Sequence, residues 1–313
     1  MVIFVIVSNE IVSNENKNMR EITKNINNKN MTQKTLTITF CGAPNVGKST
    51  LLNTLMNCKL AICSPKPQTT RFNIKGILTD NKTNTQLVLI DTPGIFKPKL
   101  SMLEKQIVKE AWQGLCGTDL ICVIIDAGVG LDKSALTILD KTKTNNVPIV
   151  GIINKSDLLN QEDKILLAEK MWNTGRFSDI FSLSAKKNKG CDELLKYFLS
   201  KAKIGEWMFA EDDITDKDNN FIASEFVREQ LFLILEKEIP YMLSCETELF
   251  NQTTDGVEIS VLVNVGKENH KKIILGKNGE NIKKIIRRAS KNIENILQQK
   301  VKLRIFVRID KRK

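Results

Sequence analysis

The sequence predicts an α/β protein in which a doubly wound, mostly parallel sheet is followed by a smaller α+β domain. Over about residues 34–203, short apolar runs rich in β-branched residues alternate with helical stretches. Such runs suit strands that helices cover on both faces. A polar, acidic stretch at residues 204–222 then precedes a second pattern over residues 223–313. We expect a linker and a second domain there.

The elements of the first domain follow in chain order. Strands are predicted at residues 36–41, 87–90, 120–125 and 148–153, and helices at 48–57, 102–115, 133–143, 163–172 and 192–201. Residues 71–78 and 85–90 flank a turn that contains Asn and Asp, which predicts a hairpin and one antiparallel edge strand. Ligands are expected at the carboxyl ends of the parallel strands.

The second domain is predicted to be a small α+β unit. Its elements are a helix at 224–239, strands at 257–265 and 271–275, a basic helix reaching about residue 299, and a last strand at 301–307. Residues 1–33 are rich in Asn, Lys and Glu and have little to bury, so we expect a disordered extension.

The positive charge is concentrated at the C-terminal end. The chain has a net charge of +11, yet residues 266–313 alone hold 16 basic and 4 acidic residues, a net of +12. So local an excess favours a polyanionic partner, either nucleic acid or an anionic membrane surface. With one histidine and seven cysteines that form no C-x-x-C pair, the sequence argues against zinc sites and disulfides and for a reducing cytoplasm.

A phosphate-binding loop is predicted at residues 42–49, which match G-x-x-x-x-G-K-[ST] between a strand and a helix. Its glycines let backbone N–H groups point at phosphate oxygens, and the helix N-terminus adds the positive end of its dipole. Lys48 can reach the β- and γ-phosphates, and Ser49 can bind Mg²⁺. The predicted nucleotide contacts here are Gly42, Ala43, Pro44, Asn45, Val46, Gly47, Lys48, Ser49 and Thr50.

Two later segments predict the base that is bound. Asn154, Lys155 and Asp157 follow a buried strand, and a carboxylate there can accept hydrogen bonds from the N1–H and exocyclic amine of guanine. Asp157 is therefore expected to exclude ATP, since a mismatched base leaves a buried polar group unpaired. Alone, this string can equally be a helix cap; its place after the phosphate loop favours the nucleotide site. Ser184, Ala185 and Lys186 are expected to add the Ala185 N–H to guanine O6.

The segment D-T-P-G is predicted to contact the γ-phosphate. Its members Asp91, Thr92, Pro93 and Gly94 end a predicted strand; Asp91 can hold Mg²⁺ through water and the Gly94 N–H can bind the phosphate. Alone, the string is also compatible with a plain turn. Between the two motifs, the hydroxyls of Thr69 and Thr70 are both candidates to complete the Mg²⁺ shell, and we favour Thr70. The predicted metal ligands are Ser49, Thr70 and Asp91.

In this order the five motifs resemble those of the translation-factor-like GTPases. K-P-Q-T-T-R at residues 66–71, with D-T-P-G and N-K-S-D, looks like the Era family in particular. Past the linker, G-K-N-G at residues 276–279 is similar to the G-x-x-G loop of a type II KH domain. The resemblance covers about residues 34–313.

The resemblance implies a GTPase domain at 34–203, a linker at 204–222 and a KH domain at 223–313. It further implies a cytoplasmic, monomeric switch that uses GTP, GDP and Mg²⁺. Its expected partners are the 30S ribosomal subunit, during assembly, and 16S ribosomal RNA near its 3′ end.

The KH prediction also has a physical basis. A G-x-x-G turn lets a nucleic-acid backbone approach closely, and basic residues spaced three and four apart share one face of the following helix. By itself G-x-x-G is most often a hairpin turn; the net charge of +12 favours RNA. The expected RNA contacts are Gly276, Lys277, Asn278, Gly279, Lys283, Lys284, Arg287, Arg288 and Lys291.

The position after D-x-x-G is Ile95, where Ras-type enzymes carry a glutamine that orients water. Intrinsic hydrolysis is therefore expected to be slow. In related GTPases an asparagine placed like Asn45 coordinates K⁺; here Asn45 either does so or braces the loop. The groups expected to act in hydrolysis are Lys48, Thr70, Gly94 and Asn45.

A membrane-surface GTPase is the alternative, with the basic helix as a peripheral anchor on the inner face of the cell membrane. Against it, residues 278–302 contain no Trp or Phe, and the aliphatic stripe of this helix suits packing on a sheet.

Overall fold

Two β-sheets organise the residues that the computed structural model describes, which are 32–95, 102–142 and 146–310. The predicted N-terminal extension falls on residues 1–33, of which 1–31 lie outside this description. The first sheet has seven strands and the second has three. This is the expected α/β architecture with a smaller α+β unit behind it.

The first sheet is mostly parallel. Its strands are β1 (Lys34–Cys41), β2 (Ile74–Asp80), β3 (Thr85–Asp91), β4 (Leu120–Asp126), β5 (Ile149–Asn154), β6 (Asp179–Ser182) and β7 (Lys203–Ile204). They lie in the order β2-β3-β1-β4-β5-β6, and β7 pairs with the start of β1. The hairpin places β2 antiparallel at one edge, as expected, while β3, β1, β4, β5 and β6 run parallel.

Helices cover both faces of this sheet. They are α1 (Lys48–Leu55), α2 (Met102–Gln113), α3 (Lys133–Lys141), α4 (Gln161–Trp172) and α5 (Cys191–Lys201). Leu52 of α1 and Phe198 of α5 join one buried cluster, whereas Ala111 of α2, Ile138 of α3 and Met171 of α4 join the other. Burial on both faces explains why these strands read as continuous apolar runs.

The second sheet carries helices on one face. Its elements are α6 (Asn219–Ile234), β8 (Ser244–Thr253), β9 (Gly256–Val265), α7 (Glu268–Leu275), α8 (Glu280–Leu297) and β10 (Val301–Ile309). The strand order is β10-β9-β8, with β10 parallel and β8 antiparallel to β9. Phe226, Ile274 and Ile285, from the three helices, share a core with β9.

The second unit differs from the sequence expectations in three respects. Residues 271–275 lie in helix α7 and not in a strand, and strand β8 was not expected. His270 is a buried residue of the same helix. The first helix begins at Asn219, inside the segment expected to be a linker, because the Asp218 side chain caps it by accepting from the Phe221 N–H (2.7 Å).

The chain between the two units lies against the edge of the first sheet. Gln86 of β3 exchanges hydrogen bonds with the backbone of Met208 and Phe209. The Ile77 N–H of β2 donates to the Ile214 carbonyl (3.0 Å). These contacts tie the acidic segment to the first sheet.

Candidate nucleotide and RNA sites

The phosphate loop connects β1 to α1 and depends on two glycines. Gly47 has φ +99°, and a Cβ there would lie 2.2 Å from Asn154 Nδ2. At Gly42 an added Cβ would lie 2.5 Å from the Ile124 carbonyl oxygen. Both contacts exclude a side chain, so the loop is held close to β4 and β5.

Lys48 is buried at the first position of α1. Its Nζ donates to the carbonyls of Gly42 (3.2 Å) and Ala43 (2.9 Å), which folds the side chain back over the loop. Burial lowers the pKa of Lys48, and the charge of Asp91 opposes that shift. The ammonium group therefore lies inside the loop, where phosphate oxygens would surround it.

Three oxygen-bearing side chains meet beside Lys48. Ser49 Oγ donates to Asp91 Oδ2 (2.6 Å) and lies 3.0 Å from Thr70 Oγ1. Asp91 Oδ1 is buried and has no hydrogen-bond partner within the described chain. Burial raises the pKa of Asp91 to about 6, against the opposing effects of Lys48, Ser49 and Thr70.

This cluster fits Mg²⁺. Carboxylate and hydroxyl oxygens are hard ligands, and Mg²⁺ is commonly held by one carboxylate with substrate phosphates and water. The unpaired Asp91 oxygen is the kind of group that a metal-bound water would satisfy. Thr69, the alternative to Thr70, directs its hydroxyl to Ser64 (2.5 Å) and to the Lys66 carbonyl (2.8 Å), so Thr70 is the threonine at the cluster.

The base-recognition residues lie at the ends of β5 and β6. Asn154 binds two loops at once, since its Nδ2 donates to the Val46 carbonyl (2.8 Å) and its Oδ1 accepts from the Ala185 N–H (3.0 Å). The Ala185 N–H, expected to face guanine O6, is thus engaged by Asn154. Ser184 is buried and Lys186 is exposed, and both line the same cavity as Asp157.

Sequence reasoning missed two charged residues at this end of the sheet, Asp126 and Lys187. Lys155 Nζ binds Asp126 (2.6 Å) as well as the Asn45 carbonyl (2.9 Å). Asp157 pairs with Lys187 (2.8 Å), and hydrogen bonds from Lys187 and Ser184 lower the pKa of Asp157 to about 2. The position of Asp126 at the carboxyl end of β4 was a usable signal.

The D-T-P-G segment lies directly against the phosphate loop. Thr92 Oγ1 donates to the Phe40 carbonyl (2.8 Å), and a Cβ on Gly94 would lie 2.8 Å from Pro44. Ile95 donates its N–H to the Gly42 carbonyl (3.0 Å) and is 3% exposed. Its side chain packs in the core with Ala111 and so does not reach the phosphate site.

The segment after α1 connects the nucleotide loop to the second unit. Asn45 Nδ2 donates to the Pro65 carbonyl (2.9 Å). Lys66 Nζ donates to the carbonyls of Phe232 and Leu235 at the end of α6. Arg71 donates to the carbonyls of Pro240 (3.4 Å), Tyr241 (3.2 Å) and Leu243 (3.3 Å).

Glu229 is the centre of this connection. It is 1% exposed, and its carboxylate accepts from the Cys63 N–H (2.8 Å) and pairs with Lys59 (2.5 Å). It also accepts from Asn292 Nδ2 of α8 (3.3 Å). One buried carboxylate thus joins the segment beside the nucleotide loop to the basic helix, a contact that no sequence motif indicated.

The predicted RNA loop joins α7 to α8 through a single 3₁₀ turn. Gly276, Asn278 and Gly279 have φ values of +72°, +53° and +76°. A Cβ on Gly276 would lie 2.9 Å from Asn281, which leaves no room for a side chain. Lys277 and Asn278 are exposed at the tip.

The basic helix α8 separates its charge from its core. Ile285, Ala289 and Ile293 are buried at intervals of four residues. The five cations Lys283, Lys284, Arg287, Arg288 and Lys291 are exposed, and within the described chain they form no ion pair. They are therefore available to phosphates.

Residues 37–155 match the family described as 50S ribosome-binding GTPase, and residues 238–313 match the KH domain. The chain is 44% identical to GTPase Era of Rickettsia conorii over 280 residues, which cover 88% of this chain and 81% of that protein. It is 40% identical to GTPase Era of Ehrlichia ruminantium, with 86% and 90% covered.

Two solved structures share the fold across both units, each at 33% identity and with 89% of this chain and 94% of the other covered. One, with a TM-score of 0.83, is Era in complex with MgGDPNP and nucleotides 1506–1542 of 16S ribosomal RNA. The other, with a TM-score of 0.84, is a variant of Aquifex aeolicus Era bound to GDP and AlF₄⁻. On its motifs, its fold and these likenesses, the chain belongs to the Era family of GTPases.

Proposed function

We propose that this GTPase is a Mg²⁺-dependent switch that binds 16S ribosomal RNA near its 3′ end and acts in 30S subunit assembly. The observation that carries the proposal is the connection from the segment at residues 59–65, which Asn45 of the phosphate loop contacts, through Glu229 to the basic helix of the KH domain. The relative solved with MgGDPNP and nucleotides 1506–1542 of 16S ribosomal RNA supports the choice of RNA.

The nucleotide end acts by positioning charge. Lys48 and the backbone N–H groups of residues 42–49 bind the β- and γ-phosphates, and Asp157 selects guanine. Ser49, Thr70 and Asp91 hold Mg²⁺, which when bound neutralises negative charge on the phosphates. The Gly94 N–H binds the γ-phosphate, so the backbone from Asp91 onward responds to that group.

Hydrolysis is slow without a partner because no side chain at position 95 can hold the attacking water. Ile95 is buried in the core, and a polar group ordering water is the part that Ras-type enzymes place there. A cation near Asn45 is one way to supply positive charge to the transition state of hydrolysis, where other enzymes use an arginine finger. The Asn45 amide nitrogen already braces Pro65 (2.9 Å), while its amide oxygen, which makes no hydrogen bond with any residue that the structure describes, can coordinate K⁺.

Turnover in KCl against NaCl at matched ionic strength tests this role of Asn45. We expect faster turnover in KCl, and Asn45→Ser should remove the difference. Equal rates in the two salts would limit Asn45 to bracing the loop.

Coupling runs through the segment at residues 59–71. Thr70 lies at the cation cluster, and Arg71 is bonded to the chain that follows α6. A nucleotide that repositions Thr70 therefore changes the contacts that Arg71 makes with the KH domain. Allosteric coupling requires an element of this kind, whose conformation both binding sites affect.

The test is GTP turnover with and without a short single-stranded RNA. We expect RNA to raise turnover, and a Lys277→Asp/Asn278→Asp variant to keep basal turnover while losing the increase. If RNA does not change the turnover of the native protein, GTP hydrolysis and RNA binding are two independent activities on one chain.

We further propose that the protein works as a cytoplasmic monomer. Within the described residues, no helix combines the length and apolarity needed to cross a bilayer. The aliphatic face of α8 is buried against the second sheet, so the peripheral membrane alternative has only the basic face of this helix to use. Co-sedimentation with liposomes, compared with an RNA gel-shift assay, tests this choice. Binding to vesicles and not to RNA would contradict it.

A further inference from the structure

The face of the second sheet that points away from the helices carries an exposed aromatic ring between two arginines. On β10, Arg304, Phe306 and Arg308 are exposed while Leu303 is buried. Alternation along a strand places the three exposed residues on one face. Each lies about 6.6 Å from the next along the strand, from a rise of about 3.3 Å per residue.

The strands beside β10 give this face its shape. Phe306 pairs in register with Leu262 of β9, which is 4% exposed, so the ring packs against a neighbour on one side. Phe306 itself remains 52% exposed. Arg304 lies in register with Ser260 of β9, and Ser260 lies in register with Leu249 of β8. These small and apolar neighbours leave the Phe306 ring accessible.

Neither arginine is in a salt bridge with a described residue. Arg304 makes no hydrogen bond there, and its charge only adds to that of Lys302 in lowering the pKa of Glu258. Arg308 donates from Nε to Asn264 Oδ1 (3.2 Å), which fixes the guanidinium while its two terminal nitrogens have no partner within the described chain. Lys302 is different, because it pairs with Glu258 (2.7 Å).

Protection of an edge strand does not explain the ring. Charged side chains on an edge strand prevent pairing with other chains, which accounts for the cations alone. An exposed Phe works against that protection, since apolar edge strands invite aggregation. Aromatic rings on a sheet with flanking cations are, by contrast, the means by which sheet surfaces hold single-stranded nucleic acid.

We propose that this outer face, formed by Arg304, Phe306 and Arg308, is a second RNA-contact surface of the KH domain. Phe306 stacks on one unpaired base, and the two arginines bind the phosphates on either side. The face continues from the first RNA site, because β10 is the edge strand beside α7 and α8, which the glycine loop joins. A strand held at that loop reaches the face by crossing β10. The inference rests on the proposed RNA binding.

RNA length separates the two surfaces. We would titrate unstructured adenine- and cytosine-containing RNAs of about 5 nucleotides, close to the four that a G-x-x-G loop clamps, and of about 15 nucleotides, which reach both surfaces. Phe306→Ala should weaken binding of the longer RNA about tenfold, within the range for one stacked base, and leave the shorter unchanged. Phe306→Tyr, which keeps the ring, should restore binding.

Matched variants make the result specific. Lys302→Gln lies on the same strand and face but removes a cation already paired with Glu258, and Trp172→Ala removes another exposed ring, on α4. Neither should alter binding of the longer RNA. Arg304→Gln and Arg308→Gln should each flatten the salt dependence of that binding by about 0.7 in log–log slope. Binding of the shorter RNA at the glycine loop, unchanged in every variant, reports correct folding of the KH domain.

The outcomes separate the inference from the function on which it rests. If Phe306→Ala binds both RNAs as the native protein does, the second surface is refuted and RNA binding at the glycine loop stands. If Phe306→Ala loses only association with a protein of the ribosomal subunit, the face is a protein contact and the inference fails. If the native protein binds neither RNA, the proposed function fails first.

Discussion

Single side chains carry the proposed nucleotide chemistry. We propose that Asp157 selects the base; Asn154 holds the phosphate loop and the Ala185 loop together, and Ile95 takes the position of a water-ordering group. Because each has a separate role, each can be tested by one substitution.

Asp157→Asn should lower GTP affinity by at least about tenfold, because the amide cannot accept from both guanine donors and a hydrogen bond to a charged acceptor is lost. Asp157 is exposed and pairs with Lys187 in the structure, so the loss is that of an accessible carboxylate. Calorimetric titration with GTP and ATP measures the change, and Asp163→Asn on the exposed start of α4 is the matched control. Hydrogen bonds from Lys187 hold the pKa of Asp157 to about 2. The carboxylate therefore stays ionised across pH 5 to 8, and guanine selection should not change there. Equal affinity of the native protein for both nucleotides would contradict this role.

Ile95→Gln should not create a faster GTPase. Ile95 is 3% exposed and packs in the core, so a glutamine there would bury an amide in an apolar site. That costs about 1–3 kcal/mol of unfolding free energy. Denaturant titration should show the loss, with hydrolysis unchanged or reduced. A variant as stable as the native protein and faster in hydrolysis would show that position 95 faces the phosphates.

At the scale of elements, the connection between the domains rests on α6. Glu229→Ala removes the acceptor of the Cys63 N–H and the partner of Lys59. Coupling energies of about 1–3 kcal/mol correspond to roughly 5- to 150-fold effects, so we expect RNA to lose most of its effect on turnover while basal turnover is kept. Stopped-assay rates with and without RNA measure this. Glu236→Ala, an exposed carboxylate just after α6, is the control, and intact stimulation in Glu229→Ala would place the coupling elsewhere.

The sequence predicted correctly the strands that helices cover on both faces. These strands of the first sheet appear in the sequence as continuous apolar runs, and the motifs at their ends predicted the nucleotide-binding residues. Strand β8 was missed because it is a mostly exposed edge strand whose alternation breaks at a bulge between Thr247 and Leu249. Helix α7 is short, and its isoleucines imitated a strand; the buried pair His270 and Ile274, four residues apart, is the helical signal.

Contacts between domains could not be read from the sequence at all. Glu229 lies on α6 among residues that look like an ordinary amphipathic helix, and the partners that it binds outside this helix are 63 to 170 residues distant along the chain. Only the folded arrangement brings Lys59, Cys63 and Asn292 to one carboxylate. Long-range polar contacts of this kind carry no periodicity and no spacing rule.

At the scale of the whole molecule, a net charge of +12 is concentrated in residues 266–313, at the C-terminal end of the KH domain. Salt concentration should therefore affect RNA binding and GTP hydrolysis differently. Single-stranded RNA binding that neutralises Z phosphates falls with a log–log slope of about −0.7Z. If the five exposed cations of α8 all contact phosphates, they contribute about −3.5 to the slope, and Lys284→Gln/Arg287→Gln should reduce its size by about 1.4. Filter binding across a salt series measures this. Lys164→Gln/Lys170→Gln on α4, which also removes two cations but from the first domain, should leave the slope unchanged. A slope that responds to the α4 variant and not to the α8 variant would move the RNA to the GTPase domain, because counterion release reports only those cations that lie against the phosphates.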